Sequence, residues 1–551
     1  MVLRPLLVAI SLTSTVFGQV QKPGLQVPAS AAASRAQVVS IFKNAFSAYT
    51  EFAFGHDDLT RYFVDDFNGW GATIVDALDT MKIMGLEDLF QIALNFSTQI
   101  DFSQSKTPDT VSLFESTIRY VGGLLSAYEL NGNQPQILVD KAEQLASKLV
   151  LGFQGSVGVP FGFVDFSIDQ PVIATSNIAE AGSLTMEWGT LSKYTGNDTF
   201  RTLAEGSVRH MAQLTPPLPG FAAQGIDPST GEFVGAYVSW GGGSDSYFEY
   251  LLKYSRLNLE ADPLFIQTWQ TAVDSSIKFL LKESTVGDWT YLADMEDDRQ
   301  IRHIGSHLAC FHGGNWILGG QLLKNQTIVD IGLKLVDACF NTYASTATKI
   351  GPEVFGFISK INGHPPNGTD DGSFTEDPIT AADIAFNNEH GFYIFDGGSD
   401  YILRPEVLES NFYAWRVTGD TKYLDNAQSA IDSYLKFLVV PGGKGGVSGL
   451  LDVNNATVTP ENRVDETESF MFAEVMKYLY LTFDDPEHIS LDEYVFNTEC
   501  HPLKAPPLVG PFGSKPTSTP SFNQNKVLHA PLPQVSFNPK LPEQLKSILG
   551  L

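Results

Sequence analysis

Cysteine is almost missing from this chain: three residues in 551, Cys310, Cys339 and Cys500. Three thiols allow at most one bridge, which excludes a fold stapled by a disulfide framework. No cysteine sits with histidine at zinc-site spacing, so a structural zinc module is excluded too. Cys310 and Cys339 both fall in apolar helical segments inside the main body and are the expected pair; Cys500 is left over. Basic residues are scarce as well, 35 Lys and Arg against 63 Asp and Glu, for a net charge of −28. A surface of that sign repels phosphate, which argues against nucleic acid or an anionic membrane as partner and against an acidic polysaccharide as substrate. Beyond the N-terminus no stretch approaches the roughly 18 uninterrupted apolar residues of a membrane span. The acidic loop of an EF-hand is absent too.

What is present starts with "MVLRPLLVAISLTSTVFGQV". Arg4 gives a positive flank, Leu6 to Val16 a short apolar stretch, and Val16-Phe17-Gly18 a small-residue cleavage site, the pattern of a signal peptide over residues 1–18. Asn95, Asn197, Asn325, Asn367 and Asn455 each open an Asn-X-Ser/Thr sequon, in keeping with that route. The expected location is the secretory pathway ending in secretion, with Golgi or vesicular retention as the alternative. No stable membrane insertion is expected once the leader is cleaved.

From residue 38 to 503 the pattern is helix after helix, with apolar residues recurring at three and four, as in "VVSIFKNAFSAYTEFAF" and "SYFEYLLKYSRL". Two helix ends echo each other, Thr195-Gly196-Asn197 and Thr418-Gly419-Asp420. Polar or charged landmarks enter apolar helices near Asp76, Glu115, Glu180, Asp245, His307, Glu353, Glu406 and Glu468; after Glu115 the steps are 65, 65, 62, 46, 53 and 62 residues. Such a step fits two helices and their connections, so the repeating unit is a helix pair. Repeated pairs build either an open solenoid or a closed toroid of inner and outer helices. Because each landmark sits at a helix end beside Gly, Trp or Phe, the closed form is expected, with those ends gathered around one axis. Residues 504–551 differ: nine prolines, five lysines and one acidic residue, Glu543. That composition predicts a Pro-rich, mostly disordered tail.

Several constellations could carry chemistry. In "YILRPEVLES", Pro405 suits a first helical turn, and Glu406 and Glu409 share one face three residues apart. Glu115 and Arg119 stand at i,i+4, a geometry shared by site residues and by plain helix salt bridges. Gly241 to Gly243 precede Asp245 and Glu249 at a helix start, where glycines let a ligand approach the backbone. Asp76 and Asp79, at i,i+3 beside Trp70, fit either ligand contacts or internal hydrogen-bond anchors, the second being favoured. Phe470 and Glu474 share a helical face, so a ring and a carboxylate could line one wall. In "VFNTECHPL", Thr498 offers a hydroxyl and a carbonyl oxygen together, donors suited to a hard cation. Paired carboxylates converging in an aromatic-lined pocket are what glycoside hydrolysis needs, one to protonate the leaving oxygen and one to activate water or attack.

Taken together, "FNGWGATIVDALDT", "LFESTIRYVGGLLSAYEL", "GGGSDSYFEYLLKY", "HLACFHGGNWILGG", "IGPEVFGF", "YILRPEVLESNFYAWRVTGD", "ESFMFAEVMKYLYLTFDD" and "VFNTECHPL" resemble, in order, the class I α-mannosidases of glycoside hydrolase family 47, its secreted fungal members above all. The resemblance implies an all-α fold: an (α/α)7 barrel of inner and outer helices, plugged by a C-terminal hairpin, with calcium at the pocket base. It implies inverting removal of α-1,2-linked mannose from high-mannose N-glycans by a monomer. By position, Glu115 matches the general acid. Asp245 and Glu406 match the carboxylates that activate water, Glu406 being favoured, and Glu353 matches a further acidic position sometimes counted as catalytic. Thr498 matches the calcium ligand, and Arg119, His307, Arg404, Glu409, Phe470, Glu474 and Glu499 fall in the sugar pocket. Glu409 is expected to hold Arg404 or a water. Cys310 and Cys339 match the family's internal disulfide. Cys500 replaces the usual Ala of "NTEA". Gly243 stands where members that remove a single mannose carry Arg, which implies trimming of several mannoses. The competing reading is a catalytically weak, glycan-binding quality-control protein on the same barrel.

Overall fold

A computed structural model describes residues 19–59, 68–359, 379–440, 446–508 and 510–513. The expected signal peptide, the sequon at Asn367 and the tail beyond residue 513 lie outside the described residues.

Helices follow one another as hairpins. They are α1 (Ala31–Phe52), α2 (Ala72–Ile83), α3 (Glu87–Ser97), α4 (Gly122–Leu130) and α5 (Ile137–Leu149). Next come α6 (Thr185–Thr195), α7 (Thr199–Gln213), α8 (Asp245–Leu257) and α9 (Pro263–Ser275). The last are α10 (Phe311–Leu323), α11 (Gln326–Ala344), α12 (Glu406–Thr418), α13 (Lys422–Ser433) and α14 (Met476–Thr482). Helices α2, α4, α6, α8, α10, α12 and α14 touch in that order, and the turn Met471–Val475 that leads into α14 packs back on α2, so the inner ring closes. Each inner helix carries one outer partner: α3, α5, α7, α9, α11, α13 and, for α14, α1. This is the (α/α)7 barrel.

The two rings differ in sequence because they differ in burial. Outer α5 is amphipathic, burying Leu138, Val139, Ala142, Leu145, Ala146 and Leu149 on one stripe. Inner α10 is buried on nearly every face. Its glycines are packing positions: a Cβ on Gly319 would stand 2.1 Å from the Trp269 ring of α9.

Short strands lead into the inner helices at one end of the barrel. Val111–Ser112 runs into Glu115, Ser176–Asn177 into Glu180, and Ile304–Ser306 into His307. Two inner helices also contain π-helical turns at this end, Ser116–Val121 and Met471–Val475, a distortion frequent at functional sites. A hairpin of Tyr494–Phe496 and Pro502–Lys504, with Val495 opposite Leu503, fills the barrel from the other end. Its base is held where α4 and α8 finish, by Lys504 N–H on Glu129 and Arg256 on the carbonyls of Asp492 and Pro506. Its tip, Asn497 to His501, reaches the level where the inner helices begin.

The folded body exceeds the 38–503 span expected from periodicity. Helix α1 starts at Ala31 in an Ala- and Ser-rich stretch with little apolar signal, and Ala505 N–H still bonds to Glu493 O at 2.8 Å. Cys310 and Cys339 form the expected disulfide between the start of α10 and α11, and Cys500 is buried and free. Among the described residues no helix is long and apolar enough to cross a membrane.

Arg416, fully buried at the end of α12, ties that end to the end of α14 and to the N-terminal segment. It donates to Gln21 Oε1 and to the carbonyls of Leu481, Pro486 and Ile489 at 2.8–3.2 Å. Arg416→Met would orphan those acceptors, and a charged hydrogen bond is worth about 1.5–3 kcal/mol. The expected outcome is a loss of about 3 kcal/mol in urea unfolding. An unchanged midpoint would mean that water satisfies the carbonyls.

Candidate active site

The strand-lined end of the barrel opens into a polar pocket. Its wall takes one contribution after another from the inner helix starts: Glu115 and Arg119, then Glu180, Asp245, Arg404 with Glu406, and Phe470 with Glu474. Thr498 and Glu499, from the hairpin tip, complete the lining. Glu115 sits in the single turn Leu113–Glu115, its N–H accepted by Ser112 Oγ at 3.1 Å. Asp245 is the first residue of α8, and its N–H bonds to Gly241 O at 3.0 Å. Gly243, with φ +82°, makes the turn that aims this helix into the pocket; a Cβ there would lie 2.9 Å from Gln224 Nε2.

Two arginines organise the wall. Arg119 meets Glu115 at 2.8 Å, Glu499 at 3.1 Å and Asp76 at 3.7 Å, and donates to Ser469 Oγ at 2.8 Å. Arg404 Nε donates to Glu353 Oε2 at 2.8 Å, while Glu353 Oε1 accepts Ile402 N–H. Both guanidinium groups lie over Phe470, at 5.5 and 5.8 Å from its centroid, so cation–π contacts fix the ring's position. Glu353 therefore stands behind Arg404 and off the pocket wall. His307 is likewise one layer back, bonded to Glu406 Oε2 and to the Tyr343 hydroxyl, both at 2.7 Å. Glu409 holds neither Arg404 nor a pocket position. It meets Lys253 of α8 at 3.4 Å, and Lys253 also bonds Glu249. The shared face with Glu406 is real, but α8, across the ring beyond α10, supplies the cation that Glu409 meets.

Burial sets the electrostatics. It pushes Asp245 up to about 7, with Glu249 and Glu406 adding repulsion. It pushes Glu409 up to about 8 despite Lys253. Glu474 and Glu499 are also raised well above the carboxylate range, by burial and by each other's neighbourhood of carboxylates, against Arg119. Glu406 is the exception. Burial acts on it in the same sense, but the hydrogen bond and charge of His307 together with Arg404 outweigh it and hold Glu406 below its ordinary value. Beneath the tip lies a buried ion cluster: Asp79 with Lys477 at 2.8 Å and His501 at 2.7 Å, and Asp76 at 3.4 Å from His501. There, burial would raise Asp79, yet Lys477 and His501 bring it to about 2, and the aspartates lift His501 to about 9 against burial. Asp76 and Asp79 are the internal anchors expected.

The floor suits a metal ion. Among the described residues neither oxygen of Thr498 takes part in a hydrogen bond; only its N–H does. Glu499 Oε1 is buried with no hydrogen bond, its one close cation being Arg119. Hydroxyl, carbonyl and carboxylate oxygens free of hydrogen bonds are hard donors for a hard cation. A separate group, Asp58, Glu466 and Glu468, brings carboxylate oxygens within 4.8 Å of one another and could also hold an ion. Of these only Glu468 had a sequence signal, as a helix-start landmark.

A closed helical barrel whose inner helix starts deliver carboxylates, arginines and a ring into one polar pocket defines a glycoside-processing enzyme. The chain belongs to glycosyl hydrolase family 47, whose sequence description matches residues 41–505. It is 36% identical over 529 residues to mannosyl-oligosaccharide alpha-1,2-mannosidase 1B of Emericella nidulans, covering 91% of this chain and 99% of that protein. It is 38% identical over 500 residues to mannosyl-oligosaccharide alpha-1,2-mannosidase of Coccidioides posadasii, covering 85% and 90%. Its fold superposes on alpha-1,2-mannosidase from Trichoderma reesei with a TM-score of 0.79 at 34% identity, covering 86% and 99% of the two chains.

Sequence reasoning did not assign Glu180 to the site, although it was a landmark; Ser176 Oγ holds it at 2.7 Å. It also passed over Lys477 and His501, whose partner Asp79 lies far away in the chain, and over Lys253, which joins its i,i+4 neighbour Glu249 to the distant Glu409. The raised carboxyls give a test. Each binds its proton more tightly folded than unfolded, so its stabilisation is complete below its ordinary value, 3.8 for Asp245 or 4.5 for Glu409, and is lost as pH rises through about 7 and about 8. With a chelator present, the melting temperature is expected to fall between pH 5 and 8. A flat or rising profile would contradict it.

Proposed function

We propose that this chain is a calcium-dependent exo-α-1,2-mannosidase that trims several terminal mannoses from high-mannose N-glycans with inversion. The observation that carries the reading is the convergence of Glu115, Asp245 and Glu406 over the Thr498 floor in one pocket. The names of the relatives give the substrate class. Glu115 protonates the departing glycosidic oxygen while Arg119 fixes its direction. Glu406, kept ionised by His307 and Arg404, takes the proton from water. Asp245 positions that water from α8, two places away in the inner ring. Inversion needs carboxylates roughly 6.5–9.5 Å apart, and residues from different inner helices can leave that space where residues on adjacent turns cannot. Glu353 acts through Arg404, and His307 through Glu406. Phe470 offers an apolar face to the sugar ring. Thr498 would hold calcium with waters near Glu474 and Glu499, and calcium would supply oxygen coordination that orients sugar hydroxyls. Three intact carboxylates in the pocket weigh against a binding-only protein on this barrel.

Incubation with a high-mannose glycan should release mannose of inverted anomeric form by proton NMR and cease in chelator. Calcium should also restore the thermal stability lost at pH 8. Retained configuration, or full activity without divalent cations, would overturn the corresponding part of the reading. Glu115→Gln is expected to lower kcat by about 10²–10⁴, measured with the same glycan; full activity would remove Glu115 as the acid. At Gly243 the open approach predicts a product series that continues past the first mannose, and a digest that stops after one would refute it.

A further inference from the structure

We propose that Glu187, Tyr250 and Asn497 form a clamp that fixes Thr498 for cation binding, an assignment that rests on the calcium reading above. Thr498 reaches the pocket from a tight turn at the end of a hairpin, and such a turn needs restraint to present two oxygens in a fixed direction. Asn497 supplies part of it. Its Oδ1 accepts the N–H groups of Glu499 at 3.0 Å and His501 at 2.7 Å, folding the turn around one side chain. Its Nδ2 donates outward to Ile118 O at 3.0 Å and Glu187 Oε1 at 2.7 Å. The Tyr250 hydroxyl donates to the same Glu187 oxygen at 2.6 Å and accepts Thr498 N–H at 3.2 Å. The backbone of the cation-binding residue is thus tied through one hydroxyl to one carboxylate oxygen.

The three residues are 0–1% exposed. Glu187 sits on α6 and does not line the pocket. Its other oxygen, Oε2, is buried without a hydrogen bond. A carboxylate buried so expensively, with one oxygen carrying both bonds, is poorly explained by packing alone. Tyr250 lies on α8, the helix that begins with Asp245, so the cation floor and the water-positioning carboxylate share one rigid element. Outer partners of this kind orient metal-binding groups and commonly govern affinity by about 10–100-fold.

The test measures calcium binding to chelator-stripped protein by calorimetry, with no substrate present. Tyr250→Phe removes only the hydroxyl, and Glu187→Leu removes the shared acceptor; each is expected to weaken calcium binding about 10–100-fold. Glu187→Gln keeps an oxygen able to accept both bonds and is expected to stay within about threefold of wild type. Far-UV circular dichroism of the stripped proteins separates loss of fold from loss of binding, and either folded variant suffices. Wild-type affinity in folded Tyr250→Phe or Glu187→Leu would overturn the clamp while leaving the calcium reading intact. Failure of the wild type itself to bind calcium would remove the calcium reading and the clamp with it.

Discussion

The structure depends on holding many carboxylates together in a place water barely reaches. A closed ring of inner helices forces their starts toward one axis, and most of those starts carry an acid. Like charges so gathered repel, and burial adds the cost of losing hydration. Each acid must therefore find a cation or keep its proton. Arg119 serves Glu115, Glu499 and Asp76; Arg404 serves Glu353; Lys253 serves Glu249 and Glu409; Lys477 and His501 serve Asp79. Glu474 and Glu499 remain raised after this pairing. A divalent ion on the Thr498 floor would complete the neutralisation.

The same constraint explains the division of labour between neighbouring acids. Asp245 and Glu406 both begin inner helices and both face the pocket, yet burial lifts one while His307 and Arg404 hold the other down. Identical chemistry at the level of residue type thus becomes two different groups. His307 earns its place by standing between Glu406 and Tyr343, which sets where the Glu406 charge points.

The hairpin plug gives the pocket a floor. An (α/α)7 ring by itself is a channel; the plug closes it and carries the Asn497–His501 turn into the middle. Its base is anchored by Arg256 and Glu129, and its tip by Ile118, Glu187 and Tyr250. Affinity for a cation there would be a property of the whole barrel, since the groups that hold the Thr498 turn come from three inner helical segments.

The helix-pair repeat, the acids at helix starts, the Cys310–Cys339 bridge and the Gly241–Gly243 turn were all legible in the chain. The bridge was legible because three thiols allow one pair and the chain resembles a family with that disulfide; the others depend on local spacing, which is what a sequence displays. The placement of Glu353 and His307 behind the wall was not legible, nor the turn of Glu409 toward Lys253, nor the joining of Glu187 to Asn497. Those depend on which residue stands opposite after the ring closes, across separations such as 310 positions for Glu187 and Asn497. By itself the sequence determined that acids would begin the inner helices. Only the tertiary structure decided which cation, proton or hydroxyl each acid received, because countercharge is assigned by distance in space, and the ring brings remote residues within a few ångströms.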